Sequence, residues 1–293
     1  MGPKPHSRRC YILYIIGMRN CVSILRKSII LSVLPLFTAA AYAQAPALDD
    51  LLSYQGETAI EIPAAIPALV ETYPDLEQDR KPAKLISNSG GARVIGGVRF
   101  ERDAQTNTYA WRDLSIEDDK LEEVYFGYRS GGTGHNFLLF TFKDGAKSDG
   151  RAVRGFVAEV LPWKKKGEEF EPFTAGISGK YDLVWNVVSW ESFLESSIVK
   201  SKLAVDVYPL KVSREEKLRL LDEAVKESTR DYAGEKYHTF FNSCSSNALK
   251  VFSRATGHHL LVGRLLPSVV IKHLKLRGFL GARERNDASN WKP

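Results

Sequence analysis

Cysteine is scarce in this sequence, with 3 in 293 residues. Cys10 and Cys21 lie within a predicted export leader, so Cys244 is the single cysteine expected in the mature chain. A lone thiol in an oxidising compartment has no partner for an intramolecular disulfide, which leaves an intermolecular bond or a reactive thiol. We interpret Cys244 as reactive; the alternative is a small buried residue that only packs a helix.

Acidic residues are absent from the first 43 positions, which carry six Lys and Arg residues. An apolar run at 29–37 and an Ala-Tyr-Ala pattern at 41–43 follow, so the sequence predicts a secretory signal peptide. Translation from Met18 instead of Met1 would also give a signal of ordinary length. A retained anchor is the alternative, but the apolar run is shorter than the roughly 20 residues that a spanning helix needs. We expect an exported protein, in the periplasm or at the outer face of the cytoplasmic membrane.

An excess of positive charge is also absent once the leader is removed. The 41 Lys and Arg residues outnumber the 35 Asp and Glu residues by six, which is the number of basic residues in the leader. A chain without net charge gives no reason to expect nucleic-acid binding. Apart from His258 and His259 the sequence has no cluster of metal-ligand residues, and it lacks the G-x-S-x-G, P-loop and dinucleotide-binding patterns. We therefore expect neither a metal nor an organic cofactor.

The middle of the chain is rich in strand signals and its end is rich in helix signals. Runs of β-branched and aromatic residues predict strands at 98–101, 108–111, 124–128, 136–142, 153–160, 181–189 and 202–208. Residues 143–145 (Lys-Asp-Gly) predict a hairpin-type turn, and a capping box at Ser213 opens the first of three predicted helices. Strands followed by helices indicate an α+β fold. The predicted parts are a signal peptide (1–43), a lead-in (44–95), a catalytic domain (96–260) and a C-terminal helix with a polar tail (261–293).

The residues around Cys244 predict that this cysteine begins a helix. Apolar residues recur at helical spacing over 248–252, and Gly257 is a stop signal. Asn242 or Ser243 would cap the helix. Free backbone N–H groups and the positive end of the helix dipole favour a thiolate, which is the nucleophilic form of cysteine.

A thiol nucleophile needs a base, and histidine is the usual one because its pKa lies near neutrality. His135 follows the glycine-rich stretch 131–134 and leads into an apolar strand, so its imidazole is expected where a loop enters the sheet. His238 lies six residues before Cys244 and is an alternative base or a support for the loop. A structural role for His135 is also open. The other histidines of the exported chain are interpreted as surface residues: His258, His259 and His273.

Several motifs occur in a fixed order between about residues 121 and 280. They lie at 124–127, 134–138, 166–168, 208–216 and 237–246, with Leu265, Leu266 and Pro267 near the end. Together they resemble the Lnb-type family of bacterial envelope proteins, which is related to the Lnb lipoprotein N-acyltransferases. The resemblance implies a circularly permuted papain-like (NlpC-like) domain with an antiparallel sheet packed with helices. It also implies His135 as the base and Cys244 as the nucleophile at a helix N-terminus.

The chain departs from the family where Asn usually stands immediately before the cysteine. Ser243 holds that place and Asn242 precedes it, so both are candidates for a role beside the oxyanion. Papain-like sites also use a polar group to orient the histidine. The strand after His135 offers Glu159 for this role, although a carboxylate there could equally be a paired structural charge.

The resemblance implies an exported cysteine acyltransferase that moves an acyl chain from a lipoprotein or lipid donor to an amine through a Cys244 thioester. A membrane surface is then an expected partner and nucleic acid is not. The lysine run 164–166 is either a solvated face or a contact with anionic lipid. A papain-like amidase or peptidase and a non-catalytic binding module are the alternatives. An apolar groove beside Cys244 would favour acyl transfer, and an open polar cleft would favour peptide hydrolysis.

Overall fold

The computed structural model describes residues 76–103, 105–106, 108–260 and 266–290. The predicted signal peptide, the lead-in up to residue 75 and Leu265 lie outside the described residues. The described part is a mixed α+β structure, which confirms the predicted class. Its strands are β1 Lys84–Ser89, β2 Ala92–Arg102, β3 Tyr109–Glu117, β4 Leu121–Arg129, β5 His135–Ser148, β6 Arg151–Trp163, β7 Asp182–Ser189, β8 Val205–Pro209 and β9 Glu284–Asn286. Its helices are α1 Trp190–Leu194, a π-helix Glu195–Lys200, α2 Arg214–Thr229, α3 Cys244–Thr256 and α4 Pro267–Leu276.

The strands form one sheet in the order β1-β2-β7-β6-β5-β4-β8-β9, and β3 pairs with both β2 and β5. Neighbouring strands run antiparallel except for a short parallel contact between β2 and β7. The predicted boundary between residues 95 and 96 falls inside β2, which pairs with β1, β3 and β7. The division into domains as such stays a prediction.

Alternating residues of β5 place two hydrophobic cores on opposite faces of the sheet, because successive side chains of a strand point to opposite sides. Leu138 and Phe140 belong to the larger core, which includes the buried faces of α2, α3 and α4. Phe137 and Leu139 belong to the second core, which includes α1 and the π-helix. The sheet is therefore buried on both faces where β5 crosses it.

The predicted turn at 143–145 is wrong, because β5 continues to Ser148. Asp144 and Gly145 have φ values of 63° and 78°, and the β5–β6 register shifts between Thr141 and Ala146. Asp-Gly therefore forms a bulge here, where positive φ is tolerated. The chain reverses direction at the next Asp-Gly dipeptide, residues 149–150, between β5 and β6.

The polar tail predicted at the end of the 261–293 segment contains the strand β9. Residues of β9 pair with Val205, Asp206 and Val207 of β8, so part of the tail forms an edge of the sheet. No alternation of apolar residues marks this three-residue segment, which explains why sequence patterns do not find it.

Candidate functional site

The loop before α3 places Cys244 at the first residue of that helix. Ser243 is the N-cap, and its hydroxyl accepts from the backbone N–H of Ser246 at 3.4 Å. The Ser246 hydroxyl in turn accepts from the backbone N–H of Ser243 at 2.7 Å, which completes a capping box. Gly257 ends the helix with φ 71°, a conformation that a side chain disfavours. Local sequence thus fixes both ends of the helix that carries the thiol.

His135 enters the site from a loop with three glycines in positive φ, at 131, 132 and 134. A Cβ on Gly134 would lie 2.6 Å from the ring of Tyr128, so this position excludes a side chain sterically as well as conformationally. His135 is the first residue of β5 and pairs with Arg129 of β4. The tight loop therefore places the imidazole at the end of the sheet that meets the start of α3.

Glu159 of β6 holds the imidazole from the side opposite the thiol. Its Oε2 lies 2.8 Å from His135 Nε2, and its Oε1 accepts a hydrogen bond from Asn186 Nδ2 at 3.2 Å. All three side chains are buried. An ionised carboxylate only accepts hydrogen bonds, so Nε2 carries the donated proton and Nδ1 remains for exchange with the thiol.

The ionisation of Glu159 is strongly favoured. Burial alone would raise its pKa, but the hydrogen bond from His135 and the charges of His135, Arg129 and Arg99 outweigh burial and lower the pKa to about 2. Glu159 is therefore a carboxylate at every physiological pH.

The thiol of Cys244 is buried, with 5% of the residue exposed. Burial raises the pKa of this thiol. The opposing effects are larger and lower the pKa from 9.0 to about 7; they come from the charge and hydrogen bond of His135, the backbone N–H of Asn136 and the hydroxyl of Ser245. For His135, burial acts to lower the pKa, and the thiolate and Glu159 outweigh burial and raise it. The two directions agree on a thiolate–imidazolium pair near neutral pH.

Asn136 connects the strand that carries the base to the helix that carries the thiol. Its Oδ1 accepts from Ser245 Oγ at 2.8 Å, and its Nδ2 donates to the carbonyl of Gly127 at 3.1 Å. The Asn136 side chain has no exposed surface. These bonds fix the amide, so the adjacent backbone N–H stays directed at the sulfur.

Tyr237 adds a hydroxyl on the other side of Cys244. It lines the same small pocket as Cys244. Burial and the charge of Cys244 raise its pKa well above the ordinary value, so the phenol stays protonated. A buried hydroxyl beside both the sulfur and the first N–H of a helix can donate to an oxygen that becomes negative there.

The remaining predicted site residues take local roles. The Asn242 side chain donates to the carbonyl of Lys236 at 3.0 Å and accepts from Asn247 at 2.9 Å, so it closes the loop. The Ser243 hydroxyl is occupied as the helix cap. His238 accepts at Nδ1 from the backbone N–H of Phe240 at 3.2 Å, which also ties it to the loop.

Sequence reasoning did not single out four groups that the fold brings to this site: Asn136, Asn186, Tyr237 and Arg129. The charge of Arg129 acts on Glu159 and Cys244, and its guanidinium carbon lies 5.7 Å from the ring centre of Phe193. Within the described part of the chain Arg129 forms no ion pair. Asn136 and Tyr237 stand in the motifs around His135 and Cys244, which was the available signal.

The pocket beside Cys244 is small, about 20 Å³, which is room for about one water molecule. Its walls include Tyr237, Ser243, Leu266 and Pro267. Neither an acyl chain nor a peptide fits without movement of a wall. The pocket is therefore neither the apolar groove nor the open polar cleft that would separate the two expected enzyme classes.

Two searches of the described residues concern other kinds of site. No group of three or more His, Cys, Asp or Glu residues among them is arranged to hold a metal ion. None of the helices found in them has the length and apolar character needed to cross a bilayer.

Comparison with protein families matches residues 103–276, more than half of the chain, to the Lnb N-terminal periplasmic domain. Comparisons with curated proteins and with solved structures give no match. The match covers β3 to α4 and thus both Cys244 and His135. A periplasmic family supports the predicted export of the chain to the periplasm. The chain belongs to the family of the Lnb N-terminal periplasmic domain.

Proposed function

We propose that this protein is a cysteine acyltransferase of the cell envelope, which forms a thioester on Cys244 and passes the acyl chain to an amine. The observation that carries the proposal is the order of groups Cys244, His135 and Glu159, with the pKa of the thiol lowered to about 7. A buried thiol without such partners would have a raised pKa and would be inert. A circularly permuted papain-like arrangement is part of this proposal.

In the first half-reaction the Cys244 thiolate attacks the ester carbonyl carbon of the lipid donor. The C–S bond forms, and the carbonyl π electrons move to oxygen. The backbone N–H of Cys244 and the hydroxyl of Tyr237 donate to that oxyanion; each such donor is worth roughly 3 kcal/mol in other enzymes. When the intermediate collapses, the ester C–O bond breaks and His135 Nδ1 gives its proton to the leaving alkoxide. The products are a thioester and an alcohol.

In the second half-reaction a neutral amine attacks the thioester carbonyl. The α-amino group of a lipoprotein's first cysteine is the proposed acceptor. His135, now neutral, takes a proton from the attacking nitrogen, and the C–S bond breaks to give an amide and the thiolate. The thiolate–imidazolium pair is thereby restored. Glu159 keeps its hydrogen bond to Nε2 throughout, so the imidazole does not rotate away between the two steps.

The test is mass spectrometry of the exported chain after incubation with a diacylated lipoprotein in detergent. We expect an acyl adduct on Cys244 in the wild type and none in the Cys244→Ala or His135→Ala variants. His238→Ala is the matched control, since His238 lies in the loop that precedes Cys244 and serves no step of the proposed reaction. This variant should retain the adduct. A wild-type thiol without an adduct on this donor would contradict the proposal.

A papain-like amidase or peptidase of the envelope would use the same thiolate. It is distinguished by adding peptidoglycan stem peptides in parallel. Cleavage of these peptides by the wild type, with no acyl adduct from lipoprotein, would replace acyl transfer by hydrolysis. Absence of both reactions would leave the non-catalytic binding module.

A further inference from the structure

Exposed large apolar side chains are concentrated around the opening of the Cys244 pocket. Among the described residues nine such side chains are exposed, and six of them lie in three segments that border the pocket. These segments are residues 170–179, the loop 237–243 and α4 with its N-cap. Apolar side chains scattered singly over a surface are ordinary, but a cluster marks an interaction site. The six are Phe173, Ile177, Phe241, Leu266, Val269 and Leu276.

Hydrogen bonds hold the first two of these segments side by side. Thr239, which lines the pocket, donates its hydroxyl to the carbonyl of Pro172 at 2.6 Å. The backbone N–H of Thr239 donates to the carbonyl of Gly176 at 3.0 Å. Phe173 and Ile177 directly follow these two acceptors in the chain. The segment 170–179 therefore lies against the loop that leads to Cys244.

Helix α4 borders the same pocket with its first residues and presents an apolar strip outward. Leu266, the N-cap, lines the pocket. At about 100° per residue, Val269 and Leu276 point in nearly the same direction, and they are 39% and 87% exposed. The opposite side of the helix packs on the larger core through Val270, Ile271 and Leu274.

The outward side of α4 is also cationic. Lys272, Lys275 and Arg277 are exposed on the helix or at its C-cap. The sequence has no Asp or Glu between residues 236 and 283, so no acidic residue accompanies these cations along the chain. Within the described part of the chain none of the three forms an ion pair. An apolar strip beside lysines and an arginine is the composition of a helix that lies on an anionic bilayer.

The acidic residues nearest to this surface in the chain precede Phe173. Glu168 pairs with Lys180, and Glu171 accepts a hydrogen bond from the hydroxyl of Thr174 at 2.6 Å. The attraction to an anionic surface therefore comes from α4, and the segment 170–179 contributes apolar contact.

We propose that the three segments form a docking face that binds the surface of an anionic lipid bilayer. The docking face consists of the six exposed apolar side chains together with Lys272, Lys275 and Arg277. In the bound state α4 lies in the interface and the Cys244 pocket opens towards the lipid. The use of this orientation rests on the proposed acyl transfer, because the site can then receive a lipid ester from the bilayer. Binding to the bilayer needs no chemistry at Cys244.

The experiment measures sedimentation of the exported Cys244→Ala chain with vesicles of phosphatidylcholine that contain about 30% phosphatidylglycerol. We expect binding to these vesicles, with weaker binding to phosphatidylcholine alone and at high salt, which screens surface charges. Lys272→Glu with Lys275→Glu should lower the binding constant at least about 30-fold, because each cation at the surface contributes about fivefold.

The matched charge control is Lys143→Glu with Lys147→Glu. Both lysines are exposed on β5, about 25 Å or more along the strand from His135. The change in net charge is the same, but the site is remote from the docking face. This variant should bind within about twofold of the parent chain. A loss as large as that of the α4 variant would show attraction by net charge alone and would overturn the proposal.

The apolar part of the docking face is tested by Val269→Ser with Leu276→Ser. Binding to the mixed vesicles should fall at least about tenfold, because the two side chains no longer bury hydrocarbon in the interface. Leu85→Ser with Val199→Ser is the matched variant, since Leu85 and Val199 are 39% and 50% exposed outside the docking face. This variant should bind like the parent chain.

Two other results would overturn the proposal. One is absence of binding to the anionic vesicles. The other is self-association in sedimentation velocity that Val269→Ser with Leu276→Ser abolishes and that vesicles do not compete with, because the face would then belong to a second copy of the chain.

Failure of this proposal and failure of the proposed acyl transfer are distinguishable. The acyl adduct on Cys244 is measured in detergent and needs no bilayer. An adduct without vesicle binding refutes the docking face alone. Vesicle binding by Cys244→Ala without an adduct on the wild type refutes the thioester chemistry and leaves the docking face.

Discussion

Two buried glutamates in this protein have the same electrostatic state but different partners. Glu159 and Glu227 are 3% and 4% exposed, and the pKa of each is lowered to about 2 against the effect of burial. Glu227 lies on α2 and binds Arg230, Arg254 and the hydroxyl of Tyr232. Glu159 binds His135, whose other ring nitrogen faces a thiol.

The difference shows that a strongly shifted carboxylate is not by itself a sign of catalysis. The partners of Glu227 are arginines and a tyrosine with a raised pKa, and none of them changes charge near neutral pH. The partner of Glu159 is a histidine, which can gain and lose a proton in that range. What distinguishes the proposed site is therefore a chain of groups that ends in a titratable pair.

We compare the Glu159 cluster, which contains His135, with the Glu227 cluster, which contains Arg230, Arg254 and Tyr232. The largest difference between these two clusters is expected from Glu159→Gln. A glutamine amide can donate to His135 Nε2 and thereby move the ring proton to Nδ1, the nitrogen that must accept the thiol proton. We expect acylation of Cys244 to fall about a thousandfold or more, by analogy with triads that lose their carboxylate. Ester turnover with p-nitrophenyl butyrate measures this loss. Glu227→Gln is the matched variant and should keep most of the activity; an equal loss in both would remove the distinction between the clusters.

The next effect is expected from the tyrosine of each cluster. Tyr237→Phe removes a donor to the proposed oxyanion, and kcat should fall about a hundredfold with little change in KM. Tyr232→Phe removes the corresponding hydroxyl from Glu227 and should leave kcat close to the wild-type value. A Tyr237→Phe enzyme with full kcat would assign Tyr237 to packing alone.

Alkylation of Cys244 by iodoacetamide tests the titratable pair without any acyl donor. The wild-type rate should rise with pH through an inflection near 7, where the thiol loses its proton. In His135→Ala the cation is lost and burial remains, so the inflection should move to 9.0 or above. His238→Ala should keep the wild-type inflection. An inflection that is high in the wild type would support a structural cysteine.

The smallest effect concerns stability. Glu227→Gln breaks the buried ion pairs of Glu227 with Arg230 and Arg254. We expect the free energy of unfolding to fall by about 2 kcal/mol. This is less than the usual cost of breaking a buried ion pair, because both arginines reach solvent. The pKa of Glu227 is lowered from 4.5 to about 2, so its contribution is complete above pH 4.5 and disappears as the pH falls towards 2. Urea unfolding at several pH values should show this convergence of wild type and variant. A difference that persists at pH 2 would mean that packing, rather than charge, is lost.

Sequence patterns predict which strands and helices exist in this fold more accurately than they predict where each one begins and ends. Seven predicted strands correspond to β2–β8, because each carries enough β-branched and aromatic residues to be recognised. The Asp-Gly at 144–145 is misread as a turn, since the same dipeptide allows positive φ in a bulge and in a hairpin. Pairing of β5 with β6 on both sides of the bulge decides between the two.

The candidate site is predictable only in part for a related reason. The spacing after Cys244 indicates a helix start, and α3 begins at that residue. The sequence allows two roles for Glu159, an orienting group for His135 or a paired structural charge. Its 2.8 Å contact with His135 depends on the positions of β5 and β6. Asn186 and Arg129 carry no local signal for such contacts, and the motif that contains Tyr237 does not show that its hydroxyl lies beside the thiol.

The sequence by itself determines the α+β class, the capped helix that begins at Cys244 and membership of the Lnb N-terminal periplasmic domain family. These features depend on neighbours in the chain or on ordered motifs. Only the tertiary structure decides that His135 and not His238 is the histidine beside the thiol. The physical reason is that hydrogen bonds between distant residues are set by strand register and helix docking, which the buried cores on both faces of the sheet fix together.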